Sequence, residues 1–382
     1  MGTETLHLYI RRSEQGMNRY IVEEADLAYN LQKIKESTSL EIIGVVKGNG
    51  YGMGLEYLAR FLTGHGVRMV AVTELADAQR LRDQYMDQPI LLLRSTPLPE
   101  EAEKILRLDC TATIGSLKSA WVLNEAAASH QIRVKAHIKI DTGLTRFGFV
   151  SSEVSEAARE LKKLEWIDFE GIYTHFSNAY AKDGLTRRQY EMFRQAVAEF
   201  EKEGFSFSMV HCANTPAFFN EGSHIEEGMT AVRIGSGWTG RVITWQPHGL
   251  KKVGVIASDV LEVREISKGT KVGYSGVFTA SKPMKVAIIP IGHYDGFGIE
   301  GKDDMTDLKT LVETMISKLR RYLRHERMSV EIGGHTYPVV GYVGLTSIAV
   351  DVTSSDVKPG DTAYADVSPL FVNPIMQREY RR

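Results

Sequence analysis

Residues 42–54 read IIGVVKGNGYGMG. Ile42, Ile43, Val45 and Val46 make a β-branched apolar run, and a short run of that kind bounded by turn residues reads as a buried strand. It ends on Lys47, after which glycine takes every second position from Gly48 to Gly54. Two readings of this junction stand side by side. In the plainer one, the lysine stem snorkels along the surface ahead of a flexible turn. In the other, the amine is reactive, because burial lowers a lysine's pKa and makes it a usable nucleophile or base. The glycines then let the backbone approach a bound group closely.

The surrounding chain favours the second reading. A lone alternating strand over 3–11 and a helical period through Leu27, Leu31 and Ile34 precede the stretch. Strand-like runs at 41–46, 69–73, 90–93, 110–114, 134–140, 168–174, 208–213 and 230–235 then alternate with amphipathic stretches such as 54–64, 74–86, 151–164 and 185–203. Strand–helix alternation means a parallel sheet. Eight such units have the size of a closed (β/α)8, TIM-like barrel. The competing doubly wound sheet lacks its phosphate-type glycine fingerprint after the first strand. From Lys251 the texture changes to β-like runs at 252–258, 259–265, 284–291, 328–333, 336–343 and 347–352, separated by Gly/Pro/Asp turns. One helix interrupts them near 306–323, with Leu308, Leu311, Val312, Met315, Ile316, Leu319 and Leu323 on one face and Thr306 and Asp307 as capping residues. The expected organisation is an α/β chain: an N-terminal strand at 1–15 joining the C-terminal domain, a barrel over 16–245, and a β-rich domain over 246–382. The terminal QREYRR reads as polar and surface-exposed.

The chain has 382 residues, 25% of them charged, with a formal net charge of −2. No basic excess points to nucleic acid or to an anionic membrane. No apolar run approaches the roughly 18 residues of a membrane span, and the N-terminus lacks a hydrophobic signal core. Cys110 and Cys212, the two cysteines, sit in apolar strand-like segments and read as reduced, buried thiols of a cytoplasmic protein. There is no Cys/His cluster for a metal.

Barrel enzymes carry their chemistry at the C-terminal ends of the strands. Lys47 follows the first strand, and Lys139, Asp141 and Arg146 follow the fifth. His175 follows the sixth, and His211, Asn214 and Thr215 the seventh. The eighth gives Arg233 and then Gly235-Ser236-Gly237. Singly each has a plain explanation, such as a satisfied core histidine or a surface arginine. Together they suit an anionic, phosphate-bearing ligand beside a reactive amine.

These segments resemble the alanine racemase family: VVKGNGYG, IKIDTGLTRFGF, IYTHF, HCANT, VRIGSG and VGYSG occur in its order and at about its spacing. The resemblance covers residues 18–300 well and thins beyond. It implies an eight-stranded barrel, a β-rich C-terminal domain, pyridoxal 5'-phosphate as cofactor, an amino acid as substrate, and a homodimer with shared active sites. Lys47 would hold the cofactor as a Schiff base and serve as one base. Tyr51, Asn214, Thr215, Gly235 and Ser236 would form the phosphate cup. Arg233 would face the pyridine nitrogen, and His175 would support Arg233 or the ring. Arg146 would touch the cofactor's phenolic oxygen and the substrate carboxylate. Lys139 matches a position carbamylated in some members. Tyr274 would be the second base, contributed across the dimer. Racemisation removes a proton from one face and returns one to the other, so two bases on opposite faces are needed, and a lysine and a tyrosine serve.

The sequence departs from the family pattern in places. Ile234 replaces a proline between Arg233 and Gly235. The later turn runs Gly341-Tyr342-Val343-Gly344-Leu345-Thr346-Ser347, with Leu345 where a substrate-contacting methionine is expected and Thr346 where an aspartate is expected. Residues 300–327 read as inserted, and a second phosphate-binding tyrosine has no counterpart. Racemisation of alanine is the default expectation, with serine or a basic amino acid as alternatives. A decarboxylase on this fold would need a cysteine in the second domain, and a non-catalytic cofactor-homeostasis protein would lack that domain.

Overall fold

The computed structural model describes residues 18–299, 308–324 and 326–382. The strand expected over 3–11 and the caps Thr306 and Asp307 lie outside them. The chain divides into two compact units. One spans Ala25–Val253, and the other comprises the described residues within 18–24 and 254–382.

After β1 (Arg19–Glu23) and α1 (Glu24–Glu36), eight strands close a barrel: β2 (Glu41–Val45), β3 (Met69–Val72), β4 (Ile90–Leu92), β5 (Cys110–Ile114), β6 (Val134–Lys139), β7 (Ile167–Tyr173), β8 (Met209–His211) and β9 (Ala231–Ile234). Each neighbouring pair is parallel, and β9 returns to β2 with Arg233 opposite Ile43. That closing pair excludes the open sheet. Strands covered on both faces read as continuous apolar runs, and β3, β4, β5 and β9 are buried at every position. The connecting helices are α2 (Leu55–Gly64), α3 (Leu75–Asp83), α4 (Pro99–Arg107), α5 (Leu117–His130), α6 (Val154–Leu161), α7 (Leu185–Lys202) and α8 (Thr215–Glu221). In α2 the apolar face of Leu55, Leu58 and Leu62 is buried.

The boundary between the units falls at Gly254 and not at 246. Residues up to Val253 stay with the barrel unit because Asn30 of α1 bonds both backbone groups of Lys251: its Nδ2 donates to the carbonyl at 2.8 Å and its Oδ1 accepts from the amide at 2.8 Å. The Val253 amide also donates to the Thr239 carbonyl at 2.9 Å.

The second unit is built on a nine-stranded sheet in the order β11-β14-β17-β16-β15-β18-β10-β1-β19. Its remaining strands are β10 (Val255–Asp259), β11 (Glu262–Ile266), β14 (Met284–Ile289), β15 (Ser329–Ile332), β16 (His335–Val340), β17 (Ile348–Asp351), β18 (Thr362–Ala365) and β19 (Gln377–Arg381). A separate ribbon pairs β12 (Lys271–Val272) with β13 (Phe278–Thr279), and α9 covers Leu308–Leu323. One sequence expectation changes here, and one strand is added. Residues 19–23, assigned to the barrel portion, form β1 of this sheet, with Tyr20, Ile21 and Val22 buried. The terminal QREYRR, polar and at the surface as read, also forms β19, parallel to β1, and the ladder is flanked by the pairs Arg19–Glu379 and Arg381–Glu23, each at 3.6 Å. Alternating opposite charges along β19, the edge strand, and at both ends of β1 beside it hide this ladder from a reading based on apolar periodicity.

Candidate active site

β2 delivers Lys47 to the C-terminal rim of the barrel. The glycine stretch after it, read from sequence as a loop, is a left-handed helical turn. Gly48, Asn49 and Gly50 have φ of 61, 55 and 63°, and Tyr51 continues at φ 52°. That conformation costs an ordinary L-residue about 1–2 kcal/mol. Two glycines and an asparagine tolerate it, so only Tyr51 bears the cost. The Gly50 amide donates to the Val46 carbonyl at 2.9 Å, and Asn49 Oδ1 accepts from the Leu55 amide at 3.2 Å, which ties the turn to α2. The turn lays the Tyr51 phenol against Gly235 beyond β9. A Cβ at position 235 would lie 2.1 Å from Tyr51 Oη, so no side chain fits there. Burial pushes the Tyr51 phenol up to about 12, against the opposing pull of Arg233.

Asn214 caps α8, its Oδ1 accepting from the Ala217 amide at 3.1 Å. Thr215 Oγ1 accepts from the amides of Gly235 at 3.0 Å and Gly237 at 3.4 Å, holding the turn around Ser236 in one orientation. Trp238, fully buried behind it, donates from Nε1 to the Val45 carbonyl at 3.2 Å and so braces the turn against the strand that carries Lys47.

Arg233 is buried at the centre of the barrel. Nη1 donates to His211 Nδ1 at 2.7 Å, and Nη2 to the carbonyls of Thr174 at 2.7 Å and Cys212 at 3.0 Å, with His175 Nδ1 at 3.4 Å. These acceptors are all neutral. Burial lowers the guanidinium's pKa, yet arginine remains protonated in proteins, so the site keeps an uncompensated cation. Tyr173 lies under it, 5.1 Å from ring centroid to guanidinium carbon, and stacks on His211 at 4.8 Å.

Three basic groups respond to that cation. Burial, Arg146 and Arg233 lower the pKa of Lys47. Burial, then Arg233 and Arg146, push Lys139 down to about 7. Burial and the surrounding cations hold His175 well below the usual imidazole range. Arg146 sits on the loop after β6, organised by Asp141, whose Oδ1 accepts from the amides of Gly143 and Leu144 at 2.9 Å and Thr145 at 3.2 Å. Burial opposes ionisation of that carboxyl, but the three amides and Lys139 outweigh it and lower its pKa.

Lys47, Tyr51, Arg146, His175, Asn214, Thr215, Arg233, Gly235 and Ser236 all line one cavity of about 370 Å³. Lys139 lies beneath it, 5.4 Å from the Tyr173 ring centroid. Tyr274 and Leu345 belong to the second unit. There Tyr274 and Tyr342 line a groove of about 590 Å³, and Tyr274, Tyr342 and Leu345 are 73, 58 and 65% exposed.

Residues 22–241 match the alanine racemase N-terminal domain, and residues 253–365 match the alanine racemase C-terminal domain. The chain belongs to the alanine racemase family. It is 32% identical over 357 residues to the alanine racemase of Geobacter sulfurreducens, covering 90% of this chain and 86% of that one. It is 28% identical over 341 residues to alanine racemase 2 of Caldanaerobacter subterraneus subsp. tengcongensis, covering 88 and 81%. The fold is shared with alanine racemase from Clostridium difficile 630 (TM-score 0.79, 24% identity, 96% of each chain). It is also shared with the alanine racemase of a D-cycloserine producing Streptomyces lavendulae (TM-score 0.80, 19% identity, 96 and 97%). Alanine racemases are isomerases, and pyridoxal phosphate is the cofactor of the family.

Sequence reasoning did not assign roles to Tyr173 or His137. Both face the barrel interior, where His137 Nδ1 lies 2.9 Å from His211 Nε2 and the Tyr173 hydroxyl lies 2.9 Å from Thr113 Oγ1. The available signal was polar residues at inward positions of otherwise apolar strands, such as VKAHIK and IDFEGIY.

Proposed function

We propose that this chain interconverts the L and D forms of an amino acid with pyridoxal phosphate, alanine being the default substrate and serine or a basic amino acid the alternatives. The observation that carries the reading is the convergence of nine rim residues on one cavity, beside a lysine whose protonated form is disfavoured by burial and two arginines.

The residues fit the cofactor. Gly235 leaves the space that Tyr51 fills, and Thr215 presets the turn that would take the phosphate, with Asn214 and Ser236 beside it. Lys47 would hold the aldehyde carbon covalently. Arg233 would face the ring nitrogen: a guanidinium only donates hydrogen bonds, so it favours an unprotonated nitrogen there. The bound cofactor acidifies the substrate's α-proton, and the unprotonated ring makes it a weaker electron sink, which discourages transamination. Arg146 would bind the substrate carboxylate. Lys47 then takes or returns a proton on one face, and Tyr274 does so on the other, contributed by a second copy in a homodimer. Lys139, pushed to about 7, has a neutral amine available to react with carbon dioxide, which supports a carbamate at that position. Leu345, Thr346 and Tyr342 would shape the substrate side of the entrance. The two buried free thiols, Cys110 and Cys212, fit a cytoplasmic protein. Both lie in the barrel unit, where they offer nothing to a decarboxylase.

The test is a panel of L-amino acids assayed for chiral inversion, with the visible absorption of the cofactor-supplied protein. A protein with no visible band, or with a band but no inversion of any amino acid, removes the reading.

A further inference from the structure

Beneath the cavity, a line of polar side chains runs through the barrel from Arg233 toward its N-terminal end. Arg233 Nη1 meets His211 Nδ1 at 2.7 Å, His211 Nε2 meets His137 Nδ1 at 2.9 Å, and His137 Nε2 lies 3.7 Å from Glu170 Oε1. Both imidazoles are fully buried, and His137 Nε2 has no hydrogen-bond partner nearer than that carboxylate. Glu170 also meets Lys135 Nζ at 3.1 Å and Thr111 Oγ1 at 3.4 Å.

Two features of the backbone exist for this line. Between β6 and β7 the register shifts: Ala136 pairs with Phe169 and His137 with Gly171, which leaves Glu170 as the extra residue of a bulge. A bulge re-aims a side chain, and here that side chain is the carboxylate nearest His137. The next residue is Gly171, where a Cβ would sit 2.5–2.6 Å from atoms of the His137 ring. The glycine makes room for the imidazole over the strand.

The direction of the hydrogen bonds follows from chemistry. A guanidinium only donates, so His211 Nδ1 must be the acceptor and its proton must sit on Nε2. That proton points at His137 Nδ1, which must also accept, so His137 carries its own proton on Nε2, facing Glu170. Burial lowers the pKa of both histidines, which keeps them neutral, and the His137 and Lys135 contacts lower that of Glu170 despite its burial. We propose that Glu170 and His137 are positioning residues for Arg233: a reversed line, in which His137 Nδ1–H donates to His211 Nε2 and Arg233 Nη1 keeps only the His211 carbonyl at 3.2 Å, would turn the bare His137 Nε2 toward the carboxylate, so Glu170 selects the Nε2–H tautomers and keeps a lone pair of His211 aimed at the guanidinium. Its bearing on catalysis rests on the reading above that Arg233 faces the cofactor ring. The plainer alternative is a structural ion pair between Glu170 and Lys135.

The experiment is ¹⁵N NMR of histidine-labelled, cofactor-free protein, with His137 and His211 assigned by single substitution. Both should show protonated Nε2 and bare Nδ1. Glu170→Leu should mix the two tautomers at His137 and His211. Glu170→Gln, whose amide oxygen still accepts, should restore them, and Lys135→Met should leave them unchanged. In the cofactor-loaded enzyme, Glu170→Leu should lower kcat by roughly tenfold with little change in KM, the scale found for outer partners that orient a site ligand. A wild-type His137 protonated on Nδ1 or on both nitrogens overturns the proposal, as do unchanged tautomers in Glu170→Leu. If Glu170→Leu does not fold, the wild-type and Glu170→Gln spectra decide alone. Because this readout needs no cofactor, a protein that never racemises would remove the activity while leaving the tautomer result intact.

Discussion

The two units hold their candidate residues in opposite ways. In the barrel unit Arg233 is 2% exposed and fixed by His211 and three backbone carbonyls, and Tyr51 is wedged against a glycine. In the nine-stranded unit Tyr274, Tyr342 and Leu345 are mostly exposed, on turns where Gly273, Ser275 and Gly341 take positive φ. A site built for one ligand is preorganised by its own strands. The aromatic turn is instead left open to solvent. On the proposed function, the barrel unit supplies the fixed half of the chemistry, and the second unit supplies Tyr274 to another copy.

The sharpest way to break that division is to remove one base from each side. Lys47→Ala should abolish both the visible cofactor band and racemisation, a loss of at least about 10⁴-fold. A retained band would place the reactive amine elsewhere. Tyr274→Phe should retain the band and lower racemisation by roughly 10²–10⁴-fold, while the α-proton of one enantiomer continues to exchange with D₂O at the Lys47 face. Equal loss of exchange for both enantiomers would show that Tyr274 is not a base confined to one face. If the tyrosine comes from a second copy, as proposed, mixing Lys47→Ala with Tyr274→Phe protein should regenerate one intact site per mixed dimer, and no recovery on mixing would sink the shared-site reading.

This contrast also explains what the sequence disclosed. The barrel was legible because strands buried on both faces are apolar at nearly every position, and because its candidate residues lie at or just beyond strand ends. Lys47, Arg146, His175 and Thr215 could be found by asking what comes after each run, and Arg233 as the one charged residue within the last. The left-handed turn at 48–51 was not legible as such: Gly-Asn-Gly permits that conformation, but only packing of Tyr51 against Gly235 selects it. β1 and the edge strand β19 were missed because charged residues bracket the short apolar run of β1 and fill most of β19. Glu170 was missed because a bulge decides where its side chain points, and a bulge depends on the register with the neighbouring strand.

A smaller effect tests how the fixed half works. After burial, Arg146 is the largest influence lowering the pKa of Lys47. Replacing it with alanine removes a cation, makes the protonated lysine less unfavourable and raises its pKa. Because Arg146 is exposed and partly screened, the shift should be small. The pH dependence of Lys47 labelling by an amine reagent in cofactor-free protein should therefore move upward. A downward move would mean that Arg146 acts by desolvating the lysine and not by its charge.

The smallest effect concerns stability and Lys139. Its folded pKa of about 7 lies below the unfolded value of roughly 10.4. Below about pH 7 both states bind the proton, and the folded state bears the full penalty of a buried ammonium among cations. Between about 7 and 10 the unfolded chain holds a proton that the folded chain has lost, so stability rises with pH across that window. Lys139→Met should remove that rise and increase Tm near pH 6–7 by something on the order of a few °C. A carbamate would change the sign of the charge, turning a cation beside Arg146 and Arg233 into their partner. Bicarbonate should then raise the Tm of the wild type at neutral pH and leave Lys139→Met unmoved. Indifference of the wild type to bicarbonate, with the pH dependence intact, would identify Lys139 as a plain amine kept neutral by the two arginines and its own burial.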